Sequence, residues 1–334
     1  MIGSHIIPRF YLEQFATPSK RGPGKPGRIW VYEQNQEPDE RATSVQGKEK
    51  GYFGYFTPNG TLEESFETVL ADRENECNDI LACSRFDTFP WPLRAREKLA
   101  FYAALLFSRA TQRRDHAVTQ WGKIMAELRH AETDDQLVKE IADAVACKLD
   151  LPAPKEAMRN RIDRYIRESE TPQEAKSNFL SGLLDNAELI AKMLLAKEPW
   201  RVLRPTEDSQ FITTDNPLVT FVPLGNGLLH PGYGFRQEIA DAAFPLAPDA
   251  CLLMGKAWAV PRTLETGMIA SLNEALIAIS DRYVYSKVRS DEINDKVQKY
   301  AGSCRYGESA FTPVGLKLST ARQFLRARFG LCPE

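Results

Sequence analysis

The sequence lacks the short motifs that identify common enzyme and metal-binding classes. None of its six cysteines forms a C-x-x-C pair, and no histidine is close enough to them to complete a zinc knuckle, so this kind of site is excluded. We expect the cysteines to be reduced thiols. A glycine-rich phosphate loop, a G-x-S-x-G nucleophile elbow and an H-E-x-x-H zinc motif are also missing. The enzyme classes that are easiest to read from sequence are therefore excluded.

Neither charge nor hydropathy marks the chain for a membrane or for nucleic acid. Lys and Arg number 43 against 45 Asp and Glu, a formal net charge of −2, so there is no overall attraction for a polyanion. The longest uninterrupted apolar run, residues 99–107, is far shorter than a bilayer-spanning helix. The first residues lack the basic and apolar segments of a signal peptide. We expect no membrane contact and a cytoplasmic location.

The overall composition is that of a globular protein, with 43% hydrophobic and 26% charged residues. The length predicts one large domain over residues 1–334, with a helix-rich part over 1–199, a β-rich part over 200–286 and a C-terminal helical segment over 287–334. Helices followed by clustered strands indicate the α+β class. We expect a helix-rich N-terminal half packed against a smaller mixed or antiparallel sheet from the C-terminal half.

Apolar spacing and breaker residues locate the individual elements. Thr61 and Glu64 form a capping-box pattern that predicts a helix over residues 62–82. Pro92 predicts the start of one long helix that reaches His130. Further helices are predicted over residues 134–148, 155–167, 171–196, 267–280, 291–300 and 319–329. A strand is predicted over residues 28–33, and short strands follow residue 200.

The segment SHIIPRFYLEQFA, residues 4–16, carries one of only four histidines. Pro8 suits the first turn of a helix, so we predict a short helix over residues 9–15 and an extended lead-in that holds His5. A histidine titrates near neutral pH, and His5 could therefore act as a general base. The alternative is a structural clamp whose ring nitrogens bond backbone groups near Asp215.

The segment FITTDNPL, residues 211–218, is the main candidate for a polar site. An apolar strand ends in two threonines, and Asp215 and Asn216 then precede Pro217, which presents two short polar side chains at a tight turn. An Asx-turn, in which Asp215 bonds its own backbone, explains the pattern as well as a functional site does.

Arg109 follows the apolar turns of the predicted long helix, so we expect its guanidinium to enter a partly buried space. A buried guanidinium needs a carboxylate or a phosphate-like ligand. Glu67 and Glu74, seven residues apart, border the apolar stripe of the preceding helix and could supply the carboxylate. Both a structural ion pair and a ligand contact remain open. Asn273 lies on an apolar helix, where its amide needs a partner, either a loop backbone or a ligand.

Five segments together resemble a known family. In chain order they are HIIPRFYLEQFA, LLFSRATQRR, WRVLRP, FITTDNPLV and LNEALIAISDRYVYS. Over about residues 4–286 this series resembles the bacterial domain-of-unknown-function 4238 family, which is typified by an N-terminal His-x-x-Pro motif and has no established activity. Gln112 stands where members often carry proline. The resemblance implies a shared site at His5, Pro8, Arg109, Trp200, Thr214, Asp215, Asn216, Pro217 and Asn273.

Polar residues from distant parts of the chain make physical sense together if they line one pocket. We predict a hydrolase acting on a phosphate-containing substrate, with a nuclease as one form. His5 would be the general base, Asp215 an orienting group or the ligand of a divalent metal such as Mg²⁺ or Mn²⁺, and Asn216 a further catalytic residue. The substrate would be a nucleic acid or a phosphorylated small molecule. The predicted substrate-binding residues are Arg109, Thr214, Asn273 and Glu67. The alternative is a non-catalytic ligand-binding or interaction protein that uses the same pocket.

Overall fold

The computed structural model describes residues 3–20, 22, 24–56, 62–63, 65–83, 91–132, 135, 138–143, 155–169, 171–205, 209–225, 228–235, 237–256 and 266–304. The chain forms two compact units. The first comprises Met1–Arg113 and Leu183–Phe311, and the second comprises Arg114–Gly182 and Thr312–Glu334. The single domain over residues 1–334 stays a prediction.

Antiparallel sheets form the β-structure of the first unit. The five-stranded sheet has the order β10 (Leu228–Pro231), β9 (Val219–Gly225), β11 (Asp241–Ala247), β12 (Ala250–Met254) and β7 (Trp200–Leu203). The four-stranded sheet has the order β3 (Asp39–Ala42), β2 (Arg28–Tyr32), β13 (Val284–Ser286) and β8 (Thr213–Thr214). Two further pairs join β1 (Gly3–His5) to β4 (Lys48–Lys50) and β5 (Tyr55–Phe56) to β6 (Leu62–Glu63).

Helices make up most of the remaining described chain, and their bounds are α1 (Arg9–Gln14), α2 (Ser65–Cys83), α3 (Leu93–Ser108), α4 (Thr111–Glu132), α5 (Lys155–Ser169), α6 (Pro172–Leu195), α7 (Thr266–Ile279) and α8 (Asp291–Tyr300). Residues 138–143 are also helical. The α+β prediction is confirmed, and α5 to α8 match their predicted ranges to within two residues. None of the described helices is both long enough and apolar enough to cross a lipid bilayer.

The prediction of one continuous helix from Pro92 to His130 is wrong. The helix ends at Ser108, and a second helix begins at Thr111. At this corner the carbonyl of Arg109 accepts a hydrogen bond from the Tyr52 hydroxyl at 2.8 Å. Both helices are individually favourable in sequence, so apolar spacing does not reveal a break that tertiary contacts create.

The predicted start of the preceding helix is also wrong. Leu62 and Glu63 pair with Phe56 and Tyr55 as short strands, and α2 begins only at Ser65. Pairing with the nearby strand β5 outweighs the helical pattern at these residues. Thr61 and Glu64 of the predicted capping box lie outside the described residues, as does the predicted helix over residues 319–329.

The short helix α1 connects the two larger sheets of the first unit. Tyr11 is fully buried, and its hydroxyl donates to the carbonyl of Pro245 on β11 at 2.7 Å. The same hydroxyl lies 2.9 Å from Oγ1 of Thr213 on β8. Its ring stacks on Phe244 with the centroids 5.4 Å apart. Pro8 and β1 precede this anchored helix, so the lead-in that carries His5 has a defined position, as the sequence predicts.

Gly255 generates a stability prediction for the end of β12. Its φ is +137°, and a Cβ at this position would lie 2.0 Å from Oδ1 of the buried Asp241. The same oxygen accepts a hydrogen bond from the Lys256 N–H at 3.1 Å, so it is not free to move away. We expect Gly255→Ala to lower the free energy of unfolding by about 2 kcal/mol or more.

Urea unfolding followed by circular dichroism would measure this loss. Gly267→Ala is the matched control, because a Cβ at Gly267 meets no atom within 4 Å. The control should change the free energy of unfolding by about 0.5 kcal/mol or less. Equal effects of the two substitutions would contradict the packing argument.

Candidate functional site

The Asp215 carboxylate is held entirely by backbone amides. Oδ1 accepts a hydrogen bond from the N–H of Asp281 at 2.8 Å, and Oδ2 accepts from those of Arg282 at 2.7 Å and Tyr283 at 2.8 Å. The Asp215 N–H donates in turn to the Tyr283 carbonyl at 3.1 Å. Asp215 therefore fastens the loop that leads into β13. We call Asp215 and the loop residues 281–283 the Asp215 clamp.

Thr214 and Asn216 flank the clamp and are fully buried. The Asn216 N–H donates to Oγ1 of Thr214 at 3.1 Å, and Nδ2 of Asn216 donates to the Ile279 carbonyl at 3.2 Å. Oδ1 of Asn216 has no hydrogen-bond partner among the described residues. These contacts support the turn between β8 and β9, while the catalytic role of Asn216 and the substrate-binding role of Thr214 stay predictions.

Asp281 brings a second carboxyl group close to Asp215. Its Oδ2 accepts a hydrogen bond from the Gln112 N–H at 3.1 Å, so Asp281, which follows α7, caps the first turn of α4. Burial and the neighbouring Asp215 raise the pKa of Asp281. Sequence analysis missed this residue, because an aspartate after an apolar helix gives no sign that it caps a distant one.

Arg109 is fully buried at the corner between α3 and α4. Its Nη1 donates to Oε1 of Glu74, which confirms the predicted ion pair with one of the two candidate carboxylates. Nε and Nη2 have no hydrogen-bond partner in the part of the chain that the structure describes. These two nitrogens form one edge of the guanidinium, whose parallel N–H bonds match the two oxygens of a carboxylate or phosphate.

Tyr102 lies two helical turns before Arg109 on α3. Residues seven apart lie on the same face of a helix, so the Cβ atoms of Tyr102 and of Arg109, the C-cap of α3, share one face. Burial raises the pKa of Tyr102, with Glu74 raising it further and Arg109 lowering it. The Tyr102 hydroxyl also lacks a hydrogen-bond partner among the described residues. In the sequence, Tyr102 is one residue of the apolar run over residues 99–107, and nothing there marks it as part of a site.

His5 is the last residue of β1. Residue 5 pairs with Lys48 across β1 and β4, and the buried Nε2 has no hydrogen-bond partner within the described chain. Burial, followed by the positive charges of Lys48, Arg109 and Arg9, lowers the pKa of His5 from 6.5 to about 4. The carboxylate of Asp215 bonds the loop amides, and no described contact joins it to His5.

The remaining predicted residues take separate positions. Asn273 accepts from the Ile212 N–H at 3.2 Å and donates to the Gln210 carbonyl at 2.9 Å, as its structural interpretation predicts. Glu67 lies on α2 two turns before Glu74, and its buried Oε1 has no partner among the residues described. His5, Tyr102 and Arg109 thus share one property, a buried polar atom without a hydrogen-bond partner among the described residues, and we call these three residues the Arg109 site.

The surroundings of Asp215 do not fit a divalent cation. Both carboxylate oxygens already accept hydrogen bonds from amides. Across the described residues, no group of three or more His, Cys, Asp or Glu side chains could hold a metal ion. The groups around Asp215 therefore do not support its predicted role as a ligand of Mg²⁺ or Mn²⁺.

Comparison with known proteins matches the chain to a family model. A family model with the description "Protein of unknown function (DUF4238)" matches residues 4–290. No curated protein and no solved structure matches the chain. The matched segment contains the Asp215 clamp and the Arg109 site, so both lie within the part of the chain that defines the family.

The Asp215 clamp predicts a large loss of stability when its carboxylate is removed. Asp215→Ala would leave the three partly buried amides of residues 281–283 without their acceptor. We expect the free energy of unfolding to fall by about 3 to 5 kcal/mol. Urea unfolding would measure this, with Asp249→Ala as the control, since the Asp249 side chain is 67% exposed. A loss as small as that of the control would show that the clamp is dispensable.

Proposed function

Because the chain belongs to a family described only as a protein of unknown function (DUF4238), we propose its function from its own site: binding of a ligand through an oxyanion group at Arg109. One observation carries the proposal. Arg109 is fully buried, and the Nε and Nη2 edge of its guanidinium has no partner in the described chain. Buried donors of this kind cost about 1 to 3 kcal/mol each when they stay unpaired, and a ligand acceptor removes that cost.

The chemistry of the edge supports an oxyanion. Glu74 bonds Nη1 and so holds the guanidinium in one orientation, with the opposite edge directed away from the ion pair. Two parallel N–H donors favour two oxygens on one carbon or phosphorus atom. Tyr102 adds a third donor, because its raised pKa keeps the hydroxyl protonated. This arrangement supports the binding-protein alternative.

A second candidate is hydrolysis of a phosphate-containing substrate, with a nuclease as one form. The observation that favours it is the neutral imidazole of His5, whose pKa Arg109 helps to lower. A neutral imidazole near a bound phosphoryl group could accept a proton from water, although a base of such low pKa is weak. The substrate would be a nucleic acid or a phosphorylated small molecule, and His5 would act without an orienting bond from Asp215.

Binding can be measured by isothermal titration with inorganic phosphate, sulfate, formate and dimethyl phosphate as probes. We expect the wild type to bind at least one probe and Arg109→Lys to bind it about 10 to 100 times more weakly, because lysine keeps the charge and loses the bidentate edge. Arg28→Lys is the control, since Arg28 forms an exposed ion pair with Glu40. The proposal fails if no probe binds, or if Arg109→Lys binds as tightly as the wild type.

The hydrolase candidate is tested by turnover on a panel of nucleic acids and phosphoesters, with and without Mg²⁺ or Mn²⁺. We expect His5→Ala to abolish any activity while the melting temperature stays nearly unchanged, because the half-buried His5 contributes little packing. His230→Ala is the control, since His230 is exposed on β10. No turnover by the wild type, together with a large loss of stability in His5→Ala, would leave only the binding function.

A further inference from the structure

The Asp281 carboxyl group has one oxygen with a donor and one without. Its Oδ2 accepts from the Gln112 N–H at 3.1 Å. Its Oδ1 is buried and has no hydrogen-bond partner within the described chain, although the residue as a whole is partly exposed. A carboxylate that leaves water needs donors on both oxygens to remain charged at low cost. The ionised form of Asp281 is therefore poorly supported where it stands.

A direct contact brings this carboxyl group close to that of Asp215. The Asp281 N–H donates to Oδ1 of Asp215 at 2.8 Å. Covalent geometry keeps the Cγ of an aspartate within about 4 Å of its own nitrogen, so Cγ of Asp281 lies within about 7 Å of that Oδ1. Two carboxylates this close in a buried region repel each other, and one of them keeps its proton to a higher pH.

The hydrogen bonds indicate which of the two carboxyl groups keeps the proton. The oxygens of Asp215 accept three amide hydrogen bonds, and such bonds favour the ionised form. A protonated Asp281 can still accept from Gln112 through its carbonyl oxygen. Its Oδ1 can carry the proton without displacing any donor. The bonding pattern therefore favours a proton on Asp281.

The charges that act on Asp281 agree with this assignment. Burial, and then the charge of Asp215, oppose its ionisation, while Arg113 and the first amides of α4 favour it. The pKa of Asp281 rises from 3.8 to about 8. Burial raises the pKa of Asp215 only to about 6, because its amide hydrogen bonds lower it. Near neutral pH, one of the two groups is therefore ionised and the other is not.

Other charged side chains on the surrounding elements form ion pairs, which carry no net charge. The hydroxyl groups of Tyr283 and Tyr285 stay neutral, because burial raises their pKa values. The ion pairs are Arg282 with Glu33, Arg41 with Asp39, Arg109 with Glu74, Arg114 with Asp115, and Glu274 with Lys296.

We propose that Asp281 carries a proton near neutral pH while Asp215 stays ionised, and that loss of this proton turns the Asp281 side chain from Gln112 into solvent. The proton passes to solvent. Because Asp281 is partly exposed, rotation of its side chain is enough to hydrate the new charge. The corner between α3 and α4 would then lose the hydrogen bond to the Gln112 N–H. This inference is independent of oxyanion binding at Arg109.

The coupling to pH has a definite sign. The aspartate carboxyl group has a pKa of about 4 in an unfolded chain, and that of Asp281 is about 8 in the folded protein. Between these values the folded state holds one more proton, so its stability falls as the pH rises. The unfolding equilibrium constant should rise about tenfold per pH unit in this range, relative to a variant that does not titrate at residue 281.

Asp281→Asn is the decisive variant, because asparagine does not titrate and keeps an oxygen for the Gln112 N–H. Urea unfolding would be measured from about pH 6 to about pH 9. Relative to the wild type, the variant should gain stability by about tenfold in the equilibrium constant per unit up to about pH 8, and no more beyond. Asp249→Asn is the control, since the Asp249 side chain is 67% exposed, and its stability relative to the wild type should not change with pH.

Two spectroscopic measurements separate the proton from the movement. Carbon-13 NMR of the aspartate carboxyl groups should show one signal that titrates above about pH 7 and is missing from Asp281→Asn. Hydrogen exchange should show that the protection of the Gln112 N–H, corrected for intrinsic exchange, falls about tenfold between about pH 7 and pH 9. In Asp281→Asn this protection should stay constant.

The outcomes that would overturn the proposal differ for its two parts. A wild type without any aspartate signal that titrates above about pH 7 would overturn the buried proton, whether or not the variant folds. A stability difference between the wild type and Asp281→Asn that does not change with pH would do the same. Constant protection of Gln112 in the wild type would overturn the movement of the side chain.

Discussion

The three hydrogen bonds that the Asp215 carboxylate accepts from residues 281–283 are the constraint on which the centre of the first unit depends. They fix the loop after α7, and that loop carries Asp281 to the first turn of α4. The cap by Asp281 helps α4 to begin at Thr111, just beyond the corner that contains Arg109. An aspartate in one turn thus influences the position of an arginine about a hundred residues earlier in the chain.

The corner at Arg109 has two supports of different origin. The Tyr52 hydroxyl bonds its carbonyl from one side, and Asp281 bonds the N–H of Gln112 from the other. Together they replace helical hydrogen bonds that a continuous helix would make. The side chain of Arg109 is held separately by Glu74. With backbone and guanidinium both restrained, the free edge keeps a fixed direction, which favours binding because little ordering is needed when a ligand arrives.

A buried ion pair such as that of Arg109 with Glu74 contributes little net stability, since apolar side chains of similar volume often stabilise the fold as much. The unpartnered Nε and Nη2 add to the cost, as do the unpartnered hydroxyl of Tyr102 and ring nitrogen of His5 among the described residues. Unsatisfied buried polar groups are few in natural proteins, and each one needs an explanation. A ligand bound as proposed would give these groups partners, whereas the ion pair explains only Glu74 and Nη1 of Arg109.

The sequence by itself determined the elements whose signals are local. Sequence patterns located α5 to α8, and the order of helices and strands indicated the α+β class. A charge on an apolar helix was enough to predict an acidic partner for Arg109, because a buried guanidinium requires one. The same argument from burial predicted that the Asn273 amide would need partners, and a loop backbone supplies them.

Tertiary structure alone decided the break at Arg109, the cap by Asp281 and the lowered pKa of His5. Each depends on folding: Tyr52 reaches the Arg109 carbonyl, Asp281 reaches Gln112, and burial together with three cations lowers the pKa of the His5 imidazole. A local sequence pattern holds no information on such distances, and hydrogen bonds and electrostatic interactions depend strongly on distance. Some residues of the site could therefore be named from the sequence. Which of their polar atoms lack a partner, and how burial shifts their pKa values, followed only from the fold.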